Sequence, residues 1–304
     1  MTRTLTLGYV RRDWHSEIQV THRQIHDRSG TSGSWCGAFL AVASFAVAGW
    51  SCSGVSEEAR TQSAADVEHG LGYLQECDTQ GRCNVAAAVV AWERAIRLDP
   101  ENADAHRYLG VQLLIQGNFT RSEQLLRRAV SLYERRAVDD ERLRSALAEV
   151  RNTLGVVLMN TGRTDEALPL FRAASDEITY ATPHLAFGNL GWALNRKGQY
   201  REAVTALERS VNIQPRFCVG WARLGESFNH LNEHQRALEA LDHALDAAQQ
   251  GCDRNQGAFL ERARAHIQLH HTDQARDDLR RCVELDSTTA EGRECASLGR
   301  SVAQ

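Results

Sequence analysis

The chain has 304 residues, of which 42% are hydrophobic, 24% charged and 7% aromatic, with four prolines. That composition is ordinary for a folded chain and excludes collagen-like or low-complexity character. There are 35 basic and 39 acidic residues, a formal charge of −4, and every basic residue but Lys197 is arginine. No block of basic residues occurs, so nucleic acid is not an expected partner.

The first 34 residues are mixed and polar. They precede an uncharged stretch from Trp35 to Trp50. At about 16 residues that stretch is short for a membrane-spanning helix, which needs roughly 20, and it suits the apolar core of a signal peptide. The polar lead is long for a signal peptide, so translation is expected to start further in, at a codon such as that of Val20. An uncleaved signal anchor is the alternative. Two processing sites compete. Ala46-Val47-Ala48 fits ordinary signal peptidase. Gly49-Trp50-Ser51-Cys52 resembles a lipoprotein box, with Trp50 bulky for its place. Residues 1–51 are thus expected to form a signal region and 52–62 a tether, with an array of repeats over 63–300.

The eight cysteines are Cys36, Cys52, Cys77, Cys83, Cys218, Cys252, Cys282 and Cys295. Removing the signal leaves seven. A lipid on Cys52 leaves six, an even number suited to an oxidising compartment. Buried thiols in a cytosolic protein are the other reading.

From residue 63 onward a pattern recurs. Its first half has a bulky residue, then Leu-Gly, then a large residue; its second half has a small, a bulky and a small residue. The copy at 184–215 has Phe187, Leu190-Gly191, Leu194, Ala203, Leu207, Ser210 and Pro215. The next has Trp221, Leu224-Gly225, Phe228, Ala237, Leu241 and Ala244. Earlier copies centre on Leu154-Gly155 and Leu109-Gly110, a divergent one on Leu71-Gly72, and a last one on Ala263. The pattern resembles the tetratricopeptide repeat, a 34-residue helix–turn–helix. It implies an all-α, right-handed superhelical solenoid of about six repeats, near 63–100, 103–136, 141–180, 184–215, 218–250 and 256–287. A short capping helix is expected over 290–300. One such hairpin cannot bury its apolar stripe alone, whereas stacked hairpins share a continuous core.

The register bears on the cysteines, because residues equidistant from a hairpin turn face each other. Cys77 and Cys83 flank the first turn. Cys218 and Cys252 are symmetric about the fifth, and Cys282 and Cys295 about the turn before the cap. These three pairs are the expected disulfides.

In tetratricopeptide repeats, positions two, five, nine, twelve and thirteen commonly line a concave face. Carried over, they are Tyr73, Val111, Leu114, Ile115, Asn152, Val156, Met159, Trp192, Asn195, Arg196 and Asn229, the expected partner-binding residues. Packing on neighbouring helices is the competing role for the aliphatic ones. The Lys/Asn clamp of chaperone-binding repeats is not recognisable. No phosphate loop or nucleophile–base pair assembles, so no enzyme activity, cofactor or metal is expected. His266 and His270, with His271 beside them, read as half a metal site at most.

Residues 183–225 are more specific. The Asn-Leu-Gly-Trp core at 189–192 and the Phe-Cys-x-Gly-Trp run at 217–221 resemble the Tgl/PilW-type proteins of type IV pilus biogenesis. That resemblance implies an outer-membrane lipoprotein on the periplasmic face that promotes assembly of the secretin, the ring through which the pilus passes. Cys52 matches the lipidated position, and Ser53 beside it favours sorting to the outer membrane. Its partners would be a secretin or another envelope protein, and the membrane through the lipid. The alternatives are a periplasmic scaffold for another envelope complex and a repeat segment regulating an enzyme.

Overall fold

The structure, a computed structural model, describes residues 54–77, 82–137, 139–246 and 251–302. Cys36, Cys52 and the signal region lie outside these residues. Thirteen α-helices occur among those described: α1 (Glu57–Gln75), α2 (Val85–Leu98), α3 (Ala103–Ile115), α4 (Phe119–Glu134), α5 (Glu141–Asn160), α6 (Thr164–Ser175), α7 (Pro183–Arg196), α8 (Tyr200–Ile213), α9 (Cys218–His230), α10 (His234–Ala244), α11 (Gln256–Gln268), α12 (Thr272–Leu285) and α13 (Ala290–Val302). Among the described residues none of the helices is long and apolar enough to cross a membrane. The chain forms two compact units, divided within α4 between Leu125 and Leu126.

Side-chain caps fix several helix starts. Asn84, Asn102 and Asn255 each accept a hydrogen bond from the amide three residues on, and Asp140 accepts from both Arg142 and Leu143. Each cap satisfies amides that the helix itself leaves unpaired.

The turns inside five successive repeats share one device. Gly117, Gly162, Gly198, Asn232 and His270 all take φ between 60° and 80°. The residue after each donates its amide to a carbonyl five back: 118 to 113, 163 to 158, 199 to 194, 233 to 228 and 271 to 266. This is the Schellman closure, whose left-handed residue is glycine by preference and asparagine by tolerance. His270 therefore sits in a turn and does not share a helix face with His266, which corrects the half-site reading. Among the described residues no group of three or more metal-ligating side chains is placed to hold an ion.

In the first unit Trp92 on α2 is 1% exposed and packs among Val67, Leu71, Leu109 and Leu113. Its indole N–H donates to the carbonyl of Val67 at 3.3 Å, and its ring stacks on Tyr108 at 5.8 Å. A Cβ on Gly70 would lie 2.2 Å from that indole nitrogen, whereas one on Gly72 would meet nothing within 4 Å. Gly70, not Gly72, is thus the close-approach glycine of the first repeat. More residues separate α1 from α2 than separate the paired helices of the other copies, and Cys77 is bonded to Cys83 within that connection.

In the second unit the expected glycine–bulky pairs meet. A Cβ on Gly155 would lie 2.5 Å from Phe171, one on Gly191 2.3 Å from Leu207, and one on Gly225 2.4 Å from Leu241. Absence of a side chain is what lets paired helices approach closely at these points. The core continues through Leu194, Phe228, Phe259 and Leu279 to Cys282 and Cys295, which join α12 to α13.

Candidate partner-binding site

Disulfides link Cys77 to Cys83, Cys218 to Cys252 and Cys282 to Cys295, with Cα separations of 4.0, 5.7 and 6.2 Å. Every cysteine among the described residues is therefore paired. The second bond ties the start of α9 to the short 3-10 turn Cys252–Arg254 after α10. Near the third, the Gln256 amide on α11 donates to the carbonyls of Cys282 at 2.7 Å and Asp286 at 2.6 Å. The cap is held by covalent and polar contacts together.

The expected contact residues divide. Val111, Leu114 and Ile115 on α3, and Asn152, Val156 and Met159 on α5, are at most 6% exposed. They do not form an open apolar surface, which corrects their assignment. The reason is visible in α3: every residue from Leu109 to Ile115 is buried, the polar Gln112 among them, so this part of the helix is covered on all sides and presents no open face. Tyr73 on α1 is 40% exposed. On α7, Trp192 is half-buried, Asn195 buried and Arg196 exposed, while Asn229 on α9 is half-buried.

The asparagines do not offer free amides to a peptide. Asn152 accepts from Asn189 at 3.0 Å and donates to the hydroxyl of Tyr180 at 3.4 Å. Asn195 donates to the Arg223 carbonyl at 3.0 Å and accepts from Ser227 at 2.7 Å. Asn229 donates to the Glu261 carbonyl at 2.8 Å and to its carboxylate at 3.0 Å. Each joins the first helix of one repeat to that of the next. A buried amide without such partners would be costly.

The same stripe over α7, α9 and α11 carries charges that the sequence reading passed over. Arg223 lies 4.9 Å from the centre of the Trp192 ring, a cation–π geometry. Its guanidinium also donates to the carbonyl of Gly188 at 2.9 Å and to the side chain of Asn189 at 3.1 Å. Burial lowers its pKa to about 10, with Glu226 opposing the shift. Glu226 accepts from the Asn195 amide at 3.4 Å. Burial, reinforced by repulsion from Glu261, pushes its carboxyl up to about 7, against the pull of Arg223 and Arg264. Arg264 bonds both Glu261 and Glu294. One signal for this row was available: Trp192, Glu226 and Arg264 each follow the Gly191, Gly225 and Ala263 positions directly.

A second, shallow depression lies between α6, α7 and α8. Phe187, Leu190, Leu194 and Ala206 line it with Arg172, Glu202 and Arg209.

The Glu226 shift predicts a pH effect. Below pH 4.5 the carboxyl is protonated whether the chain is folded or not, so it adds nothing. Between 4.5 and about 7 the folded chain holds the proton more tightly, so stability falls as pH rises and then levels off. Glu226→Gln should raise the melting temperature at pH 8 and leave it little changed at pH 4. His266, whose pKa burial lowers, contributes with opposite sign in an overlapping range, and it cancels when variant and wild type are compared at each pH. Equal gains at both pH values would contradict this.

Residues 80–140, 146–216, 189–251 and 257–289 match the tetratricopeptide repeat. The type IV pilus assembly protein PilF of Pseudomonas aeruginosa is 28% identical over 149 residues, 49% of this chain and 52% of that protein. The chain thus spans about half the length of that curated relative. A solved structure of Pseudomonas aeruginosa PilF superposes with a TM-score of 0.61 at 22% identity, over 80% of this chain and 100% of that one. PilW, described as a widely conserved type IV pilus biogenesis factor, superposes with a TM-score of 0.61 at 19% identity, over 77% of this chain and 98% of that one. At such identities the superpositions show a shared fold. The chain belongs to the tetratricopeptide-repeat family.

Proposed function

We propose that this protein is an exported repeat lipoprotein, anchored to the outer membrane through Cys52, that binds a secretin and promotes its assembly into multimers for type IV pili. The observation that carries the reading is the similarity to PilF, itself a type IV pilus assembly protein. It agrees with the motifs at 189–192 and 217–221. Pairing of every described cysteine supports an oxidising, extracytoplasmic compartment. The chemistry is that of a holder and not of an enzyme. Its working surface is the stripe over α7, α9 and α11, where Trp192 supplies aromatic contact area and Arg196 an exposed charge.

Deleting the gene is the test. Secretin subunits should persist as monomers, and heat-resistant multimers should fall by about tenfold or more, the scale expected when a stabilising partner is removed. Normal multimers in the deletion strain would contradict the secretin assignment and favour a scaffold for another envelope complex. Mass spectrometry of the membrane-extracted chain should find a lipid-modified N-terminal Cys52. A mature chain beginning at Gly49 would defeat the anchor.

A further inference from the structure

Glu226 stands out among the charged residues of the stripe. Four charged residues linked around it have strong partners: Arg223 is held by Gly188 and Asn189, while Glu261 and Glu294 share Arg264. Glu226 receives one long hydrogen bond from Asn195 and has no ion pair within 4 Å among the described residues. It is half-buried, and the groups acting on it are Arg223 on its own helix, Asn195 on α7, and Glu261 and Arg264 on α11. Arg223 cannot turn wholly toward it while its guanidinium serves the α7 backbone and the Trp192 face. Glu226 is thus opposed by the carboxylate of Glu261 on the adjacent repeat, which Arg264 and Asn229 already hold, and one more positive charge would relieve Glu226.

Resting on the docking reading above, we propose that this stripe seats a cationic side chain, arginine or lysine, of an envelope protein segment between Glu226 and Glu261, beside Trp192. Charge complementarity picks the occupant. In the linked row Arg223, Glu226, Glu261, Arg264 and Glu294 there are three acids against two bases, and Glu226 is the acid with no ion pair within 4 Å among the described residues. An arriving guanidinium or ammonium gains charge-assisted hydrogen bonds in a partly desolvated setting, where they are stronger than in water. Glu226 releases its proton as the cation arrives. An acidic or wholly apolar segment would leave the repulsion in place.

A random nonapeptide library displayed on phage, selected on the full chain at pH 7.5, tests this. Arginine or lysine should be enriched at one position by about tenfold, the scale of a charge-assisted bond. The double variant Glu226→Gln, Glu261→Gln should lose that preference while its melting curve shows it folded. Should the pair fail to fold, Glu226→Gln alone serves, with at least a threefold loss expected at about half the charge. Glu208→Gln, which removes a carboxylate paired to Arg236 away from the stripe, should keep the preference and so exclude a general attraction of basic peptides to an acidic chain. Selected peptides without a basic position, or a basic preference that survives the double variant, would overturn the cation site and leave docking on the stripe intact. A selection that enriches nothing would overturn both.

Discussion

Phe171→Ala is expected to lower stability by about 3–5 kcal/mol, the range for emptying an aromatic core site. Phe171 on α6 is fully buried, and its ring fills the space where Gly155 of α5 has no side chain. The interior has no slack there, and the cavity cannot close without shifting α5 against α6. Because neighbouring hairpins share the core, the loss should spread through the second unit and broaden its transition. Ile178→Ala is the matched control. Ile178 is 97% exposed, so its truncation should change stability by less than about 0.5 kcal/mol. Chemical denaturation of the two variants beside wild type decides the matter. A Phe171→Ala loss below about 1 kcal/mol would show that the α5–α6 contact does not hold the repeat together.

Replacing Cys218 and Cys252 together with serine should cost about 3–4 kcal/mol by the loop-entropy relation, since the bond closes a separation of 34 residues. Cys252 is 1% exposed and precedes α11, so the bond sets how α9 and α10 hand the chain to the last repeat. Loss of the bond should increase amide exchange over the Cys252–Arg254 turn and α11 before α7 responds. Hydrogen exchange on the double variant checks this. Unchanged exchange at α11, with only a uniform fall in stability, would mean that the bond acts on the unfolded chain alone.

Much of the helical core was legible because its signal is local. A glycine and a bulky residue sixteen positions apart reads as two helices in close contact, and Gly155–Phe171, Gly191–Leu207 and Gly225–Leu241 meet in that way. The first repeat misled because Leu71-Gly72 matches the Leu-Gly motif, while the contact with Trp92 is made by Gly70 two residues earlier. The turns were readable where glycine marks them. Asn232 and His270 take the same left-handed conformation without that mark, which is how His270 came to resemble a ligand.

The stripe over α7, α9 and α11 was harder to read. Asparagine side chains looked available because sequence gives their donors and acceptors and not the backbone carbonyls of the next repeat, to which Asn195 and Asn229 are committed. The aliphatic residues of α3 and α5 followed a positional rule that assumes one solvated face, and α3 has none between 109 and 115. Arg223, Glu226, Glu261 and Arg264 were passed over because charged residues on a helix usually mark a solvated surface. Their significance comes from adjacency across repeats, which only the register brings out.

The most direct test of the account is the level of heat-resistant secretin multimers in a deletion strain complemented with Trp192→Ala. Trp192 is half-buried and meets Arg223 through its ring face, whereas Phe187 and Leu194 fill the core positions of the same helix. The variant should therefore accumulate to the wild-type level and melt within a few degrees of it, while multimers fall by about fivefold or more, the scale of a lost interface anchor. Wild-type multimer levels with a stable Trp192→Ala chain would contradict docking on this stripe.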